Sequence, residues 1–285
     1  MERIGFIGGS GFYDFEDFQE KKSIKLKTPF GNPSGEYLTG KYNDREFVFL
    51  PRHGRKHEYN PSNVNFRANI HGFKQLGVND LFSVSAVGSM KMKLKIEHIV
   101  VPDQFIDFTK NRKDTFFDEG ITVHSSMADP VCSHKLSYLQ SLMGKLDYTC
   151  HIGGTYICIE GPHFSSRAES FLFKSWGVDV IGMTNATEAR LCKEAEICYC
   201  SLNFITDYDC WHSEEEDAST MDILKVLGRN IHRAKHIIRN IMQSYSPDRE
   251  CKCKNSLKNA IVTPLNAKQG IDMGKYGLLL GKYIR

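Results

Sequence analysis

The sequence predicts an α/β fold, a single domain with a central, largely parallel or mixed β-sheet flanked by helices. Three observations carry this reading. Short β-branched or aromatic runs closed by Gly or Pro recur along the chain. Helical patterns alternate with them. One long stretch near the C-terminus has its apolar residues spaced three and four apart.

The strand signals fall at residues 3–7, 46–51, 80–86, 98–102, 155–160, 178–183 and 198–206. Between them the spacing predicts helices over 64–76, 133–146, 167–176 and 185–195. In the last long helix Leu224, Leu227, Ile231, Ala234, Ile238 and Ile241 form one apolar stripe, and Ser219 three residues before Asp222 reads as its capped start. A polar break from Ser244 to Glu250 then ends the predicted domain, residues 1–245. Residues 246–285 read as a basic tail that keeps Ile261, Val262, Leu265, Leu278, Leu279 and Leu280. That is too much apolar surface for pure disorder, so the tail is expected to dock on the body or on a neighbouring subunit.

Composition narrows the function class. Of the 285 residues 41% are hydrophobic and 25% charged, as in ordinary globular chains. With 37 basic and 34 acidic residues the net charge is +3, so no basic footprint points to nucleic acid or an anionic membrane. No apolar run approaches the roughly 20 residues of a membrane span. Met1-Glu2-Arg3 running straight into a strand is not a signal peptide, so a cytoplasmic protein is expected. Most of the nine cysteines read as small buried apolar residues. Cys251-Lys252-Cys253 lies in a polar, basic stretch where burial has no obvious purpose. A disulfide drawn from Cys132, Cys198, Cys251 and Cys253 is the expected exception. Zinc is not expected, because no C-x-x-C or H-x-x-x-H spacing supports it.

Candidate chemistry collects where strands end. Gly8-Gly9-Ser10-Gly11 offers backbone N–H groups and a hydroxyl to an anion. A dinucleotide fingerprint fails there, because Asp14 stands where the third glycine is needed. Arg52 and His53, after Pro51, supply a planar fork and a second donor. Ser83 to Ser89 adds small hydroxyl residues after a third strand. Three strand ends with one guanidinium among them suit a single small dianion. Further along, Phe164 can stack on a flat base and Ser165 can bond its edge. Ile181 to Thr184, with Glu188 a turn later, and the pair Asp207 and Asp209 stand at two more strand ends.

Taken in order, Ile7 to Gly11, Pro51 to Gly54, Phe105 to Asp107, Met127 to Pro130, Ile159 to Pro162, Ser166 to Ser170 and Thr206 to Asp209 resemble the 5'-methylthioadenosine phosphorylases. The likeness runs from residue 3 to about residue 262, roughly nine tenths of the chain, and the tail around Cys251 to Lys258 is similar to the archaeal branch. The resemblance implies a nucleoside phosphorylase-like fold assembled as trimers or dimers of trimers. It implies a phosphate site at Ser10, Arg52, His53, Ser85, Ala86 and Thr184. It places the base against Phe164 and Ser165, Met183 under the ribose, and Asp207 and Asp209 at the purine edge as the catalytic carboxylates. It assigns the methylthio pocket to Thr220, Ile223 and Leu224, with His124 coming from an adjoining subunit. No cofactor or metal is implied, since inorganic phosphate is a co-substrate.

The chemistry agrees with that assignment. Breaking the glycosidic bond leaves positive charge on the sugar and negative charge on the base. A fixed phosphate dianion answers the first, and a proton delivered to N7 answers the second. A pair of carboxylates accepts from the 6-amino group of adenine and repels a carbonyl edge; the 6-oxopurine members of the superfamily carry Asn where Asp207 stands. Two departures remain: His163 replaces the family's usual Arg, and Asn185-Ala186-Thr187 precedes Glu188 where relatives carry a Pro. Altered activity is the expectation they raise. The alternatives are a related phosphorylase acting on adenosine, inosine or methylthioinosine, and a silent nucleoside-binding homologue.

Overall fold

In the computed structural model, which describes residues 3–9, 18–212, 220–248, 250–264 and 271–284, the side chains of residues 220–225 and 227 also lie outside the description. Strand β5 (Val78–Ser89) is the hub of the sheet. One edge pairs in parallel with β1 (Arg3–Gly8) and then antiparallel with β10 (Val180–Gly182). The other edge carries β11 (Cys198–Tyr208), parallel along almost its whole length. Beyond β1 lie β4 (Arg45–Pro51), β3 (Tyr37–Tyr42) and β2 (Gln19–Ile24). Beyond β10 lie β9 (Thr155–Ile159) and β7 (Gln104–Phe108), while β6 (Ile99–Val101) and then β8 (Cys150–Ile152) extend from β11.

Side chains on a strand alternate between faces, and here both faces are apolar. Ile4, Phe6, Phe47, Phe49, Cys200, Leu202 and Phe204 share one core with helices α2 (Ser133–Lys145) and α5 (Thr220–Ser244). Ile7, Val48, Leu50 and Tyr199 belong to the other, with α1 (Phe66–Gln75) and α4 (Asn185–Glu194). From α5, Ala234, Ile237, Ile238 and Ile241 are all buried. At about 1.5–3 kcal/mol for each fully buried isoleucine, this stripe alone fixes the helix to the sheet. Helix α3 (Arg167–Ser175) opens on a capping box between Ser166 and Glu169.

Every strand and helix read from the periodicity is present; the structure lengthens β5 and adds β2, β3, β7, β8 and a helix in the tail. β5 was expected to end at Ala86 in a turn; it runs on to Ser89, because β11 and β10 hold its backbone extended from both sides. The hairpin β2–β3 escaped the reading because β2 is charged and solvent-facing, without an apolar face to announce it. Beyond Tyr245 the tail lies on the body: Leu257, Ala260, Ile271, Tyr276 and Leu279 join the α1–α4 core, the last two from α6 (Met273–Leu280). The two glycines of α6 and its run of three leucines hide any helical period. Among the described residues no helix is long and apolar enough to cross a membrane.

Candidate active site

A cavity of about 470 Å³ opens at the carboxyl ends of β1, β4 and β5, the first turn of α4 and the end of β11. Gly9, Arg52, His53, Ser85, Ala86 and Thr184 line one end. Met183 lies along the wall, and Phe164, Asp207 and Asp209 line the rest. Crossover topology puts these strand ends side by side: the backbone of Arg52 donates to Gly8 at 2.9 Å, tying β4's end to β1's.

Arg52 is 2% exposed, and its fork is aimed by protein groups. Nε donates to Glu188 Oε1 at 2.5 Å and Nη2 to Oε2 at 3.3 Å, while Nη2 also reaches Ser83 Oγ at 2.7 Å and Nη1 the Val84 carbonyl at 3.1 Å. Glu188, fully buried, accepts further from Ser83 Oγ and from Tyr199 OH. The sequence reading gave the whole fork to an anion. In the structure a bidentate carboxylate occupies one side of it, so Arg52 meets the cavity as a rigidly held cation.

His53 also differs from its expected role. Its Nδ1 lies 2.9 Å from the Tyr59 carbonyl, which only accepts, so Nδ1 carries the proton and Nε2 is an acceptor. Burial and then the neighbouring Arg52 charge push its pKa down to about 3. It is a neutral acceptor at working pH, where a donor was expected. His57 stacks on it, with ring centroids 4.7 Å apart.

A hydroxyl cluster closes this end. Thr184, the N-cap residue of α4, and Ser85 both donate to Asn185 Oδ1 at 3.0 Å, and Asn185 Nδ2 donates to Asn203 Oδ1 at 2.7 Å. The residues that depart from the family pattern are thus built in. Asn185 organises two hydroxyls at the cavity, and Thr187 accepts from Arg112 Nη1 at 3.3 Å. His163 is exposed.

At the opposite end the ladder between β5 and β11 shifts register between Ile205 and Asp207, and the bulge brings Asp207 opposite Gly88. A Cβ on Gly88 would stand 3.4 Å from Asp207 Oδ2 and 3.6 Å from Asp209 Cβ, so both carboxylates border the space that glycine leaves. Thr206 Oγ1 donates to Asp207 Oδ1 at 2.7 Å. Ser165 is not at the cavity wall; its hydroxyl bonds both oxygens of Asp209, at 3.0 and 2.8 Å. Phe164 stands at the rim, 66% exposed.

His124 is exposed and away from the cavity, held by a strand bridge of its neighbour Val123 with Ile261 of the tail. Ser10 lies outside the described residues, as do the side chains of Thr220, Ile223 and Leu224. From α5, Ile231 and Ala234 line the cavity with Asn230, whose Oδ1 is buried without a partner among the described residues.

Two positioning residues escaped sequence reasoning. Glu188 was noticed only for its distance from Thr184. Arg112 sits in a charged run that reads as surface, yet its side chain is 2% exposed. It donates to the carbonyls of Met183 at 2.5 Å and Glu160 at 2.6 Å, fixing the wall between the two ends. The cysteines were misjudged as well. All nine are free, so the expected disulfide is not formed, although Cys132, Cys198, Cys251 and Cys253 do meet.

Residues 3–243 match the family model described as the phosphorylase superfamily. The S-methyl-5'-thioadenosine phosphorylase of Geobacter sulfurreducens is 48% identical over 99% of both chains. Among solved structures, a methylthioadenosine phosphorylase from an Antarctic soil metagenomic library superposes with a TM-score of 0.90 at 40% identity, covering 98% of this chain and 99% of that one. A variant of the Schistosoma mansoni adenosine/methylthioadenosine phosphorylase, in complex with methylthioadenosine, gives 0.80 at 31% identity over 85% and 91% of the chains.

Proposed function

The chain belongs to the phosphorylase superfamily, among the S-methyl-5'-thioadenosine phosphorylases, and from that premise we propose that its cavity splits 5'-methylthioadenosine with inorganic phosphate into adenine and 5-methylthioribose 1-phosphate. One observation carries the reading. A rigidly held cation with neutral acceptor and hydroxyl groups faces two carboxylates across a single nucleoside-sized space.

Phosphate sits at the Arg52 end. Ser85 and Thr184 contribute hydroxyls, and the dipole of α4 adds positive potential. Neutral His53 accepts the P–OH hydrogen of a hydrogen phosphate, which orients an unprotonated oxygen toward the sugar. That oxygen bonds to the anomeric carbon as the glycosidic bond breaks, and the bonding pair leaves with the base. Asp207 supplies the proton for N7, and the proton lost by hydrogen phosphate balances the one the base gains. Asp209, held by Ser165, accepts with Asp207 from the 6-amino group. Ile231 and Ala234 make an apolar wall that suits a methylthio group. Adenosine then remains a weaker substrate, because such a wall rejects a hydroxyl only about a hundredfold.

The reaction as read uses no cofactor or metal. Exposed His124, and the exposed Phe171, Leu172 and Trp176 of α3 and its cap, support assembly as homotrimers or dimers of trimers, with a neighbour's His124 completing the 5' end. Nine unpaired cysteines suit a reducing compartment, and we place the enzyme in the cytoplasm. Adenine release from methylthioadenosine, with and without phosphate, tests the reading. Asp207→Asn is expected to lower kcat by about 10²–10⁴-fold and to shift preference toward methylthioinosine. Release that ignores phosphate, or an unchanged variant, overturns it.

A further inference from the structure

Four cysteines from three distant parts of the chain converge on one point. Cys132 caps the N-terminus of α2, Cys198 begins β11, and Cys251 and Cys253 bracket the start of a short 3-10 turn in the tail. Their sulfur atoms all lie within 4.8 Å of one another, with Cys132 and Cys251 at 3.4 Å, and three of the four residues are buried. Four thiolates on a zinc ion at about 2.3 Å each stand roughly 3.8 Å apart, at the corners of a tetrahedron. We propose that Cys132, Cys198, Cys251 and Cys253 form a tetrathiolate zinc site that clasps the C-terminal tail to the body.

Packing alone does not explain the arrangement. A buried thiol behaves as a small apolar group, and nothing in apolar packing requires four sulfurs to face inward on each other. A closed set of four soft donors without a free position is what a structural zinc ion takes, and an open position for catalysis is not needed here. The surroundings suit the excess negative charge of such a centre. Cys132 stands at the N-cap of α2, where the helix dipole favours negative charge. Lys252 and Lys254 interleave with the tail cysteines. Binding exchanges Zn²⁺ for up to four thiol protons, which pass to solvent, and no oxidant takes part.

The site also has something to hold. From Cys253 the tail continues to Ser256, whose hydroxyl donates to the Lys193 carbonyl, and to buried Leu257, whose N–H donates to Glu196. It ends in the bridge from Ile261 to Val123, beside His124. Leu257 and Ala260 anchor this stretch to the α1–α4 core, and a metal clasp at its start would hold it at a second point.

The full chain, purified with a non-thiol reductant, is expected to carry one zinc ion by elemental analysis. Exchange for Co²⁺ is expected to give the intense visible bands and sulfur-to-metal charge transfer of tetrahedral thiolate coordination. The pair Cys251→Ser with Cys253→Ser should lose both signals, while Cys150→Ser, outside the cluster, keeps them. The cobalt spectrum of the unaltered chain needs no variant and stands even if the double variant fails to fold. A reduced chain that takes up no zinc and gives no thiolate bands overturns the proposal. So does a thiol count in denaturant that falls short by four, since the same sulfurs would then be in disulfides.

Discussion

The two ends of the cavity are built on opposite plans. At the Arg52 end, where phosphate is proposed to bind, Arg52 is 2% exposed and Glu188 fully buried, Ser83 and Tyr199 bond to Glu188, and Asn185 with Asn203 holds the neighbouring hydroxyls. At the other end, where the base is proposed to lie, Phe164 is 66% exposed, and the carboxylates stand at a bulge and accept from the hydroxyls of Ser165 and Thr206. On the proposed reading a small dianion must be placed to a fraction of an ångström, which mutually locked groups suit. On the same reading a nucleoside enters past the base, which an exposed rim at that end suits. Rigidity is concentrated at the Arg52 end.

Breaking the lock should therefore have the largest effect. Glu188→Gln leaves the buried Arg52 cation without its counter-charge, and losing one partner of such a pair costs about 3–5 kcal/mol of stability. Urea unfolding checks that figure. In the fraction that remains folded, KM for phosphate should rise well beyond any change in KM for methylthioadenosine, because Arg52 alone loses its aim. Equal changes in both constants would mean that the network supports the whole cavity and the two ends are not separate.

How much of this contrast the sequence disclosed follows from the kind of signal each part emits. Strand ends with Gly, Arg-His and Ser-rich runs point to an anion site, because few other purposes gather those residues after apolar strands. The long sheet strands announce themselves since both their faces are buried. Glu188 stayed hidden: its importance depends on β4 and β5 bringing Arg52 and Ser83 against it, 136 and 105 residues away. Arg112 was masked by its charged neighbours, although burial makes it structural. The His53 tautomer depended on a backbone carbonyl that no residue identity encodes. The four cysteines were read as a disulfide set and zinc was set aside, because zinc motifs are read along the chain, while these sulfurs come together only across it.

A smaller effect is expected from the loose end. Ser165→Ala removes two hydrogen bonds to the Asp209 carboxylate. Bonds to charged groups contribute about 1.5–3 kcal/mol, and the lower figure, taken for this part-buried pair, is roughly a tenfold change. It should fall on KM for the nucleoside and leave KM for phosphate and overall stability near those of the parent chain. Steady-state kinetics with each substrate varied in turn resolves this. A loss confined to phosphate would contradict the assignment of Ser165 and Asp209 to the base.

The smallest expected effect is a null titration, and it bears most directly on the rigid end. An ordinary histidine gains its proton near pH 6.5. His53 is held down to about 3, by burial first and by Arg52 second. Its NMR ring signal, assigned against His53→Gln, should thus stay fixed from about pH 8 to about pH 5. The consequence for folding has a definite sign. Between those two pKa values the unfolded chain binds a proton that the folded chain refuses, so stability falls as pH drops below about 6.5. His71, down to about 4 through burial, acts in the same direction, while Glu194, raised to about 7 by burial, opposes both between about 4.5 and 7. Comparing His53→Gln with the parent isolates the one contribution. A parent signal that moves near pH 6.5 would make His53 a cation beside Arg52, restore it as a phosphate donor, and remove the neutral acceptor from the proposed geometry.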